Sequence, residues 1–538
     1  MPEVWFITGS APAAPVSSIS TTDESMRTRH NVFALQVRKE ATMSTCREIG
    51  LYAACLLLCA GAATAAELPT LAESAAAVCK GTARSEQLVS AAVERAKAAS
   101  ALNAIITLDE SGATAAAQAV DKSSAAARCR PLAGVPIVVK DNIQVAGLPS
   151  TAGTPALKGF VPKADAPVVK RLRDAGAIVV AKTSMHELAF GVSGYNPAFQ
   201  GGAEVGVRNA YDRTRAAGGS SSGTGAALGA RLVAAGLGTD TGGSVRIPCA
   251  FNGCASLRPT VGRYPGAGIA PISHTRDTAG PMALAMADVE LLDRVITGAP
   301  RARPASLKGV RLGTVKSMLA NMDADTQAVF DAALGKLKAA GMVVVELDAP
   351  RLAELNAAVG FPVALYEAYD DMVAYLATYD TGIGIEQLAK EIASPDVKGT
   401  YDGLVIPRKL PGPNNTLVDA KPAYEAAMKT SRPALQALYR SLFKANKLDA
   451  IVFPTVAKVA MPAGPESSSL ENFVATIQNT DPGSNAGIPG LQIPAGLGAT
   501  SRLPVGIELD GPAGSDRRLL ALGLAIEGVL GRLPPPAP

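Results

Sequence analysis

Histidine is nearly missing from this chain: its 538 residues hold three, His30, His186 and His274. The last two have no paired spacing, which excludes a histidine-rich metal centre and leaves little for a serine–histidine relay. Charge is sparse and almost balanced. Asp, Glu, Lys and Arg make up 18% of the residues, 51 basic against 47 acidic for a net charge of +4. No Lys/Arg run and no basic stretch interleaved with aromatics occurs, so no nucleic-acid partner is expected. Seven cysteines are too few for a disulfide scaffold. Cys46, Cys55 and Cys59 fall in a leader-like segment, and Cys79, Cys129, Cys249 and Cys254 lack the CxxC spacing of a zinc or redox site. The four are expected to be buried apolar thiols, with one or two disulfides open to them if the chain is exported. What the chain has in quantity is hydrophobic residues, 48%, enough to bury a large core in a globular protein.

The apolar run LYAACLLLCAGAA, residues 51–63, is too short for a comfortable membrane span. It follows Met43 and Arg47 and precedes small residues, Ala63-Thr64-Ala65-Ala66, then Glu67. Residues 43–66 therefore have the layout of a secretory signal peptide, and a periplasmic or secreted mature chain is expected, with the cytoplasm as the alternative. Residues 1–42 are polar and aperiodic and fit a non-native or disordered extension upstream of the true start.

From residue 67 to 534 the pattern reads as one domain. The segment RSEQLVSAAVERAKAAS (84–100) spaces apolar residues three and four apart, as a helix does. The run Val135–Val139 reads as a buried strand ending at Lys140. ADAPVVKRLRDAG then AIVVAKTS reads as helix then strand, and GVRLGTV, DADTQAVFDAALGKLKAAG and MVVVELD repeat the alternation. So do LDAIVFPT after a helix at 420–447, and LPVGIELDG before SDRRLLALGLAIEGVL. Helices alternating with strands predict an α/β fold, a large mixed sheet covered on both faces. Residues 395–418, rich in Pro and Gly, read as a long surface loop.

The chemistry concentrates in residues 216–254, AAGGSSSGTGAALGARLVAAGLGTDTGGSVRIPCAFNGC. Two Gly-Gly-Ser steps, ending at Ser220 and Ser244, stand 24 positions apart. Glycine turns of this kind aim successive N–H groups at one spot, which suits a phosphate or the oxyanion of a tetrahedral intermediate. No lysine follows either glycine pair, so a P-loop is excluded, and the dinucleotide fingerprint is absent too. Gly219-Ser220-Ser221-Ser222-Gly223 fits G-x-S-x-G, but no buried strand precedes it, and only Asp240 lies between Ser221 and His274 to serve as the acid. His186 and His274 are expected to make ordinary hydrogen bonds near the pocket. Ser441 and Lys444 match S-x-x-K without its companion motifs.

GVPIVVKDNIQVAG with STAGT, then GGSSSGTGAAL, then GLGTDTGGSVRIPCAFNGCASLRPTVGR resemble, in that order, the amidase signature family. The resemblance implies Lys140 as base, Ser220 as a bridging serine in a cis peptide, and Ser244 as nucleophile. It implies an oxyanion hole from the N–H groups of Thr241, Gly242, Gly243 and Ser244, with Ser221, Asp240, Arg246 and Ser150 in supporting positions. It implies no metal and no organic cofactor. A lysine serves as base only when neutral, so Lys140 must be buried or near a cation. The stretches KTSMHELAFGVSG, SHTRDTAG and PVGIELDGPAGSDRRLLALG are most similar to the branch holding mandelamide and indoleacetamide hydrolases, which implies a small aryl or arylalkyl amide. Met185, Phe190, Tyr195 and Phe251 are candidate pocket walls. A monomer or homodimer is expected. The alternatives are a glutaminase-type subunit of a tRNA-dependent amidotransferase, which export would exclude, and a catalytically silent amide-binding protein.

Overall fold

The valine-rich segments become strands, as β-branched side chains pack well on a pleated surface. A computed structural model describes residues 67–199 and 206–537, so the leader and the residues before it lie outside the described residues. The strands are β1 (Ile105–Leu108), β2 (Pro136–Lys140), β3 (Ile178–Thr183), β4 (Ala235–Asp240), β5 (Ala255–Arg258), β6 (Thr278–Ala283), β7 (Arg311–Val315) and β8 (Val343–Leu347). They continue with β9 (Lys409–Pro411), β10 (Leu417–Asp419), β11 (Ala450–Pro454), β12 (Gly490–Leu497) and β13 (Pro504–Asp510). Eleven of them form one mixed sheet in the order β1-β3-β2-β4-β6-β5-β12-β13-β11-β7-β8, while β9 and β10 pair separately. β2 is parallel to both β3 and β4, and β4 is antiparallel to β6. Apart from residues 413–415, the described residues gather into one compact unit.

Alternation along β2 divides the core. Ile137 and Val139 enter a cluster with the helices Pro167–Asp174, Met286–Thr297, Ala324–Ala339 and Asp516–Leu530. Val138 enters another with Ser85–Ala98, Glu110–Asp121 and Ser222–Gly229. Both faces are thus covered, as expected, and each fully buried Val or Ile adds about 1.5–3 kcal/mol. The same alternation puts Lys140 on the side of Val138, beneath the helix Ser222–Gly229. That helix rests on the sheet through small residues. A Cβ at Gly223 would come 2.2 Å from the Ala104 carbonyl oxygen, so any other residue there would lift the helix off the strand ends.

Two expectations need correction. Residues 395–418 are not a plain loop: they hold the helix Pro395–Thr400, a π-turn at Tyr401–Val405 and the β9–β10 hairpin. Pro395 opens the helix at a position where its missing N–H costs nothing, so its presence did not signal a loop. With the helices Leu352–Thr378 and Ile385–Lys390 this segment builds a further apolar cluster, over Ala152, Leu157 and Leu188 of the strand-end loops. The cysteines are not free thiols either. Cys79 pairs with Cys129, and Cys249 with Cys254. Cys129 is exposed, at the end of a short helix Ala125–Arg128 that lies against the helix Leu71–Lys80 carrying Cys79.

The Cys79–Cys129 bridge closes a loop spanning 50 positions, which by chain entropy stabilises the fold by up to about 4 kcal/mol. Cys129→Ser is expected to lower the urea midpoint of the oxidised protein. Under reducing conditions the variant and the parent should unfold together.

Candidate active site

Lys140 ends β2 fully buried, and its Nζ donates to Ser220 Oγ and to Thr239 Oγ1, both at 2.7 Å. Asn142 Nδ2 donates to the same Thr239 hydroxyl at 3.1 Å, which fixes the oxygen from its far side. Lys140 has only hydroxyls in contact. Burial lowers its pKa to about 7, and the more distant charges of Asp240 and Asp277 oppose this only in part. Burial lowers the pKa of a second buried lysine as well, but a contacting carboxylate opposes it there. Lys182 registers with Val139 and so faces the other side of the sheet, where its Nζ meets the Asp141 carboxylate at 3.4 Å and Ser150 Oγ at 2.7 Å. Asp141 also accepts the N–H groups of Thr151 and Gly153, tying the STAGT loop to the exit of β2.

Ser220 is fully buried and follows a cis peptide bond from Gly219. Its carbonyl accepts the His186 N–H at 3.2 Å. The Ser221 N–H donates to the Ser244 carbonyl at 3.2 Å, which sets the two serine loops side by side, and Ser221 Oγ bonds to Thr239 of β4. Ser244 retains 8% exposure while Lys140 and Ser220 have none, so of the three it is the one that reaches solvent.

The loop 241–244 takes its shape from Asp240, fully buried at the end of β4. Its carboxylate accepts the N–H groups of Gly243 at 2.9 Å and Val245 at 3.2 Å, Nε and Nη2 of Arg246 at 3.0 Å each, and Nη1 of Arg258 at 2.8 Å. Burial alone would raise the Asp240 pKa, but Arg246 and Arg258 hold it well below the usual carboxylate range. Arg246 also bonds Glu508 of β13 and the Thr480 carbonyl. Against its own burial, Asp240 and Glu508 raise its pKa. Thr241 Oγ1 donates to Asp277 Oδ1 at 2.6 Å. The Gly243 N–H is therefore already engaged, contrary to the expectation that it faces the oxyanion. Among the described residues, the N–H groups of Thr241, Gly242 and Ser244 meet no acceptor. Gly243 has φ +136°, and a Cβ on it would lie 2.4 Å from Thr480 Oγ1; only glycine fits this turn.

Met185 is fully buried in a small cluster with Ala189 and Ile272, against which Phe190 and Ala364 pack. Tyr195 is half-buried. Phe251 is core, 2% exposed beside Ile247, and Phe190 stands edge-on to Tyr401 at 5.3 Å. His186 is buried and pairs with Asp396 at 2.9 Å; His274 is exposed and pairs with Asp371. His274, Glu367 and Asp371 come close enough to share an ion. Glu367 is occupied by the hydroxyls of Ser273, Thr275 and Tyr424, so the group reads as a hydrogen-bond network. Thr239 and Asn142 lie inside the motifs and went unassigned in the sequence. Asp277 and Glu508 lie in stretches that carry the resemblance, SHTRDTAG and PVGIELDG, but went unassigned too.

Residues 87–520 match the model of the amidase family. The chain is 47% identical over 468 residues to the mandelamide hydrolase of Pseudomonas putida, covering 87% of this chain and 92% of that protein. It is 42% identical over 453 residues to an indoleacetamide hydrolase of Agrobacterium tumefaciens strain Ach5, covering 83% and 93%. Among solved structures, the native peptide amidase of Stenotrophomonas maltophilia superposes with a TM-score of 0.74 at 30% identity, over 87% of this chain and 98% of that one. The match along nearly the whole described chain, over a mixed sheet that brings its serine loops and buried lysine together, places this protein in the amidase signature family, whose members hydrolyse carboxamide C–N bonds.

Proposed function

We propose that the chain hydrolyses a small aryl or arylalkyl primary amide to its carboxylic acid and ammonia through an acyl-enzyme on Ser244. The observation that carries this is a buried lysine whose Nζ bonds only hydroxyls among the described residues and lies 2.7 Å from Ser220 Oγ. With a pKa near 7 a large fraction of Lys140 is neutral at physiological pH. Neutral Nζ takes the Ser220 proton, Ser220 takes the Ser244 proton, and Ser244 Oγ attacks the amide carbon. The oxyanion then meets the N–H groups of Thr241, Gly242 and Ser244, which have no acceptor among the described residues. Asp240 and Arg246 act by holding that loop. Asp277 does so through Thr241 Oγ1, and Ser150 by anchoring Lys182 beside the β2 exit. As the tetrahedral intermediate collapses, the proton on Lys140 returns through Ser220 to the departing nitrogen, and ammonia leaves. Water then attacks the acyl-enzyme, gives its proton to the same relay, and Ser244 regains its hydrogen as the acid departs.

The aryl preference is supported by the mandelamide and indoleacetamide hydrolases among the relatives. Export is supported by the leader layout of residues 43–66 and by two disulfides, which persist in oxidising compartments. No helix among the described residues is long and apolar enough to cross a membrane.

Ammonia release across indole-3-acetamide, mandelamide, benzamide, an aliphatic amide and glutamine should rank the aryl and arylalkyl amides first. Ser244→Ala should abolish release from all of them at unchanged thermal stability, and EDTA should leave the rate alone. A Ser244→Ala protein that still turns over would overturn the nucleophile. Because Lys140 must be neutral to act, its pKa depressed to about 7 places the acid limb of kcat/KM there. Activity is present above that pH and lost as pH falls through it, and Lys140→Ala should cost at least about a hundredfold. In a periplasmic fraction the intact mass should begin near Ala66 or Glu67. A cytoplasmic chain that starts at Met1 would rule out export.

A further inference from the structure

The helix Leu352–Thr378 turns one face toward the nucleophile loop. The Gly360 carbonyl accepts from Arg276 Nη1 at 2.9 Å, and Arg276 Nη2 pairs with Asp481 at 2.5 Å. A Cβ on Gly360 would lie 3.1 Å from Asp481 Oδ2, and one on Gly242 would lie 3.2 Å from Asp481 Oδ1. A single carboxylate thus touches both the helix and the loop that ends in Ser244. One turn further along, Ala364 packs on the Met185 cluster, and Glu367 bonds Ser273 and Thr275. Residues 360, 364 and 367 share a face by helical spacing, and Phe361 follows Gly360 by about 100° around the helix.

Phe361 is 43% exposed. Its ring stacks on Phe473 of the helix Leu470–Ile477, centroids 6.1 Å apart and planes 26° apart. That second helix is anchored from behind, since Phe473 and Ile477 pack on an apolar cluster that includes Ile247 and Phe251 of the segment following Ser244. It leads directly into Thr480, whose hydroxyl donates to the Gly242 carbonyl at 2.6 Å. Leu470 and Val474, a turn apart on its outer side, are 40% and 50% exposed. Two helices far apart in sequence therefore bring a stacked aromatic pair and two aliphatic side chains to the surface beside Gly360 and Thr480, the first sharing the Asp481 carboxylate with Gly242 and the second bonded to the Gly242 carbonyl. Exposed apolar surface bordering a polar reaction centre is the pattern of a ligand wall, completed when a ring covers it.

We infer that Phe361 and Phe473 set substrate specificity by receiving the aryl group of the amide. This rests on the reading of the chain as a hydrolase of aryl or arylalkyl amides. Phe251 and Phe190, which the sequence suggested for this task, are occupied in packing.

The test compares kcat/KM for phenylacetamide, indole-3-acetamide and acetamide in the wild type, Phe361→Ala and Phe473→Ala. Losing a ring-to-ring contact should lower the aryl-to-acetamide ratio about tenfold in each variant, mainly through a higher KM for the aryl amides. A purely structural role would lower all three substrates alike and leave that ratio in place. A wild type that prefers the aryl amides, with the ratio unchanged in both variants, overturns the aromatic wall alone. A wild type with no aryl preference overturns the substrate reading as well. Should either alanine variant fail to fold by circular dichroism, Phe361→Leu and Phe473→Leu keep the bulk without the ring. They should lower the same ratio by roughly two- to fivefold.

Discussion

The carboxylate of Asp240 is the point from which the site is built. It ends a buried strand and accepts from two loop N–H groups and two guanidinium groups. Each of those donors is itself buried, so each would be left without a partner if the carboxylate were lost, at about 1–3 kcal/mol for a neutral group and more for a charged one. That cost is what keeps the turn at Gly243 in one conformation. The direction of the Thr241, Gly242 and Ser244 N–H groups, and the placing of Ser244 against Ser221, follow from it.

The sheet performs a second sorting, of charge. Lys140 and Lys182 leave adjacent strands on opposite faces, and their neighbours differ: hydroxyls around the first, a carboxylate beside the second. Burial lowers the pKa of both lysines. Lys182 has a carboxylate partner that ties a loop to the β2 exit, whereas Lys140 stands beside the Ser220 hydroxyl with a pKa near 7.

Much of this was legible in the chain. Lys140, Ser220 and Ser244 sit in short motifs whose residue types are themselves unusual, a lysine closing a valine strand and two glycine pairs before serines. The alternation of helix and strand gave the sheet, since each element carries its period within a dozen residues. Contacts between elements remote in sequence were hidden. Phe361 and Phe473 look like any apolar position of an amphipathic helix, and Glu508 like any polar residue of a strand. Only the fold brings the two rings together and Glu508 to Arg246. The segment 395–418 misled because proline and glycine mark both a loop and the first position of a helix. The cysteines misled because pairing depends on helices lying side by side, and spacing alone does not carry that information.

The strand order has a consequence for how the protein comes to exist. β12 and β13, among the last segments of the chain to be made, occupy the middle of the sheet between β5 and β11. β13 also supplies Glu508 to Arg246. During synthesis from the N-terminus, the nucleophile loop emerges some 260 residues before the strand that clamps the arginine behind it. A chain arrested short of residue 508 holds all three members of the relay yet lacks the centre of its sheet. Such contacts between distant parts of a sequence close slowly, so a catalytic surface appears only when the chain is nearly whole.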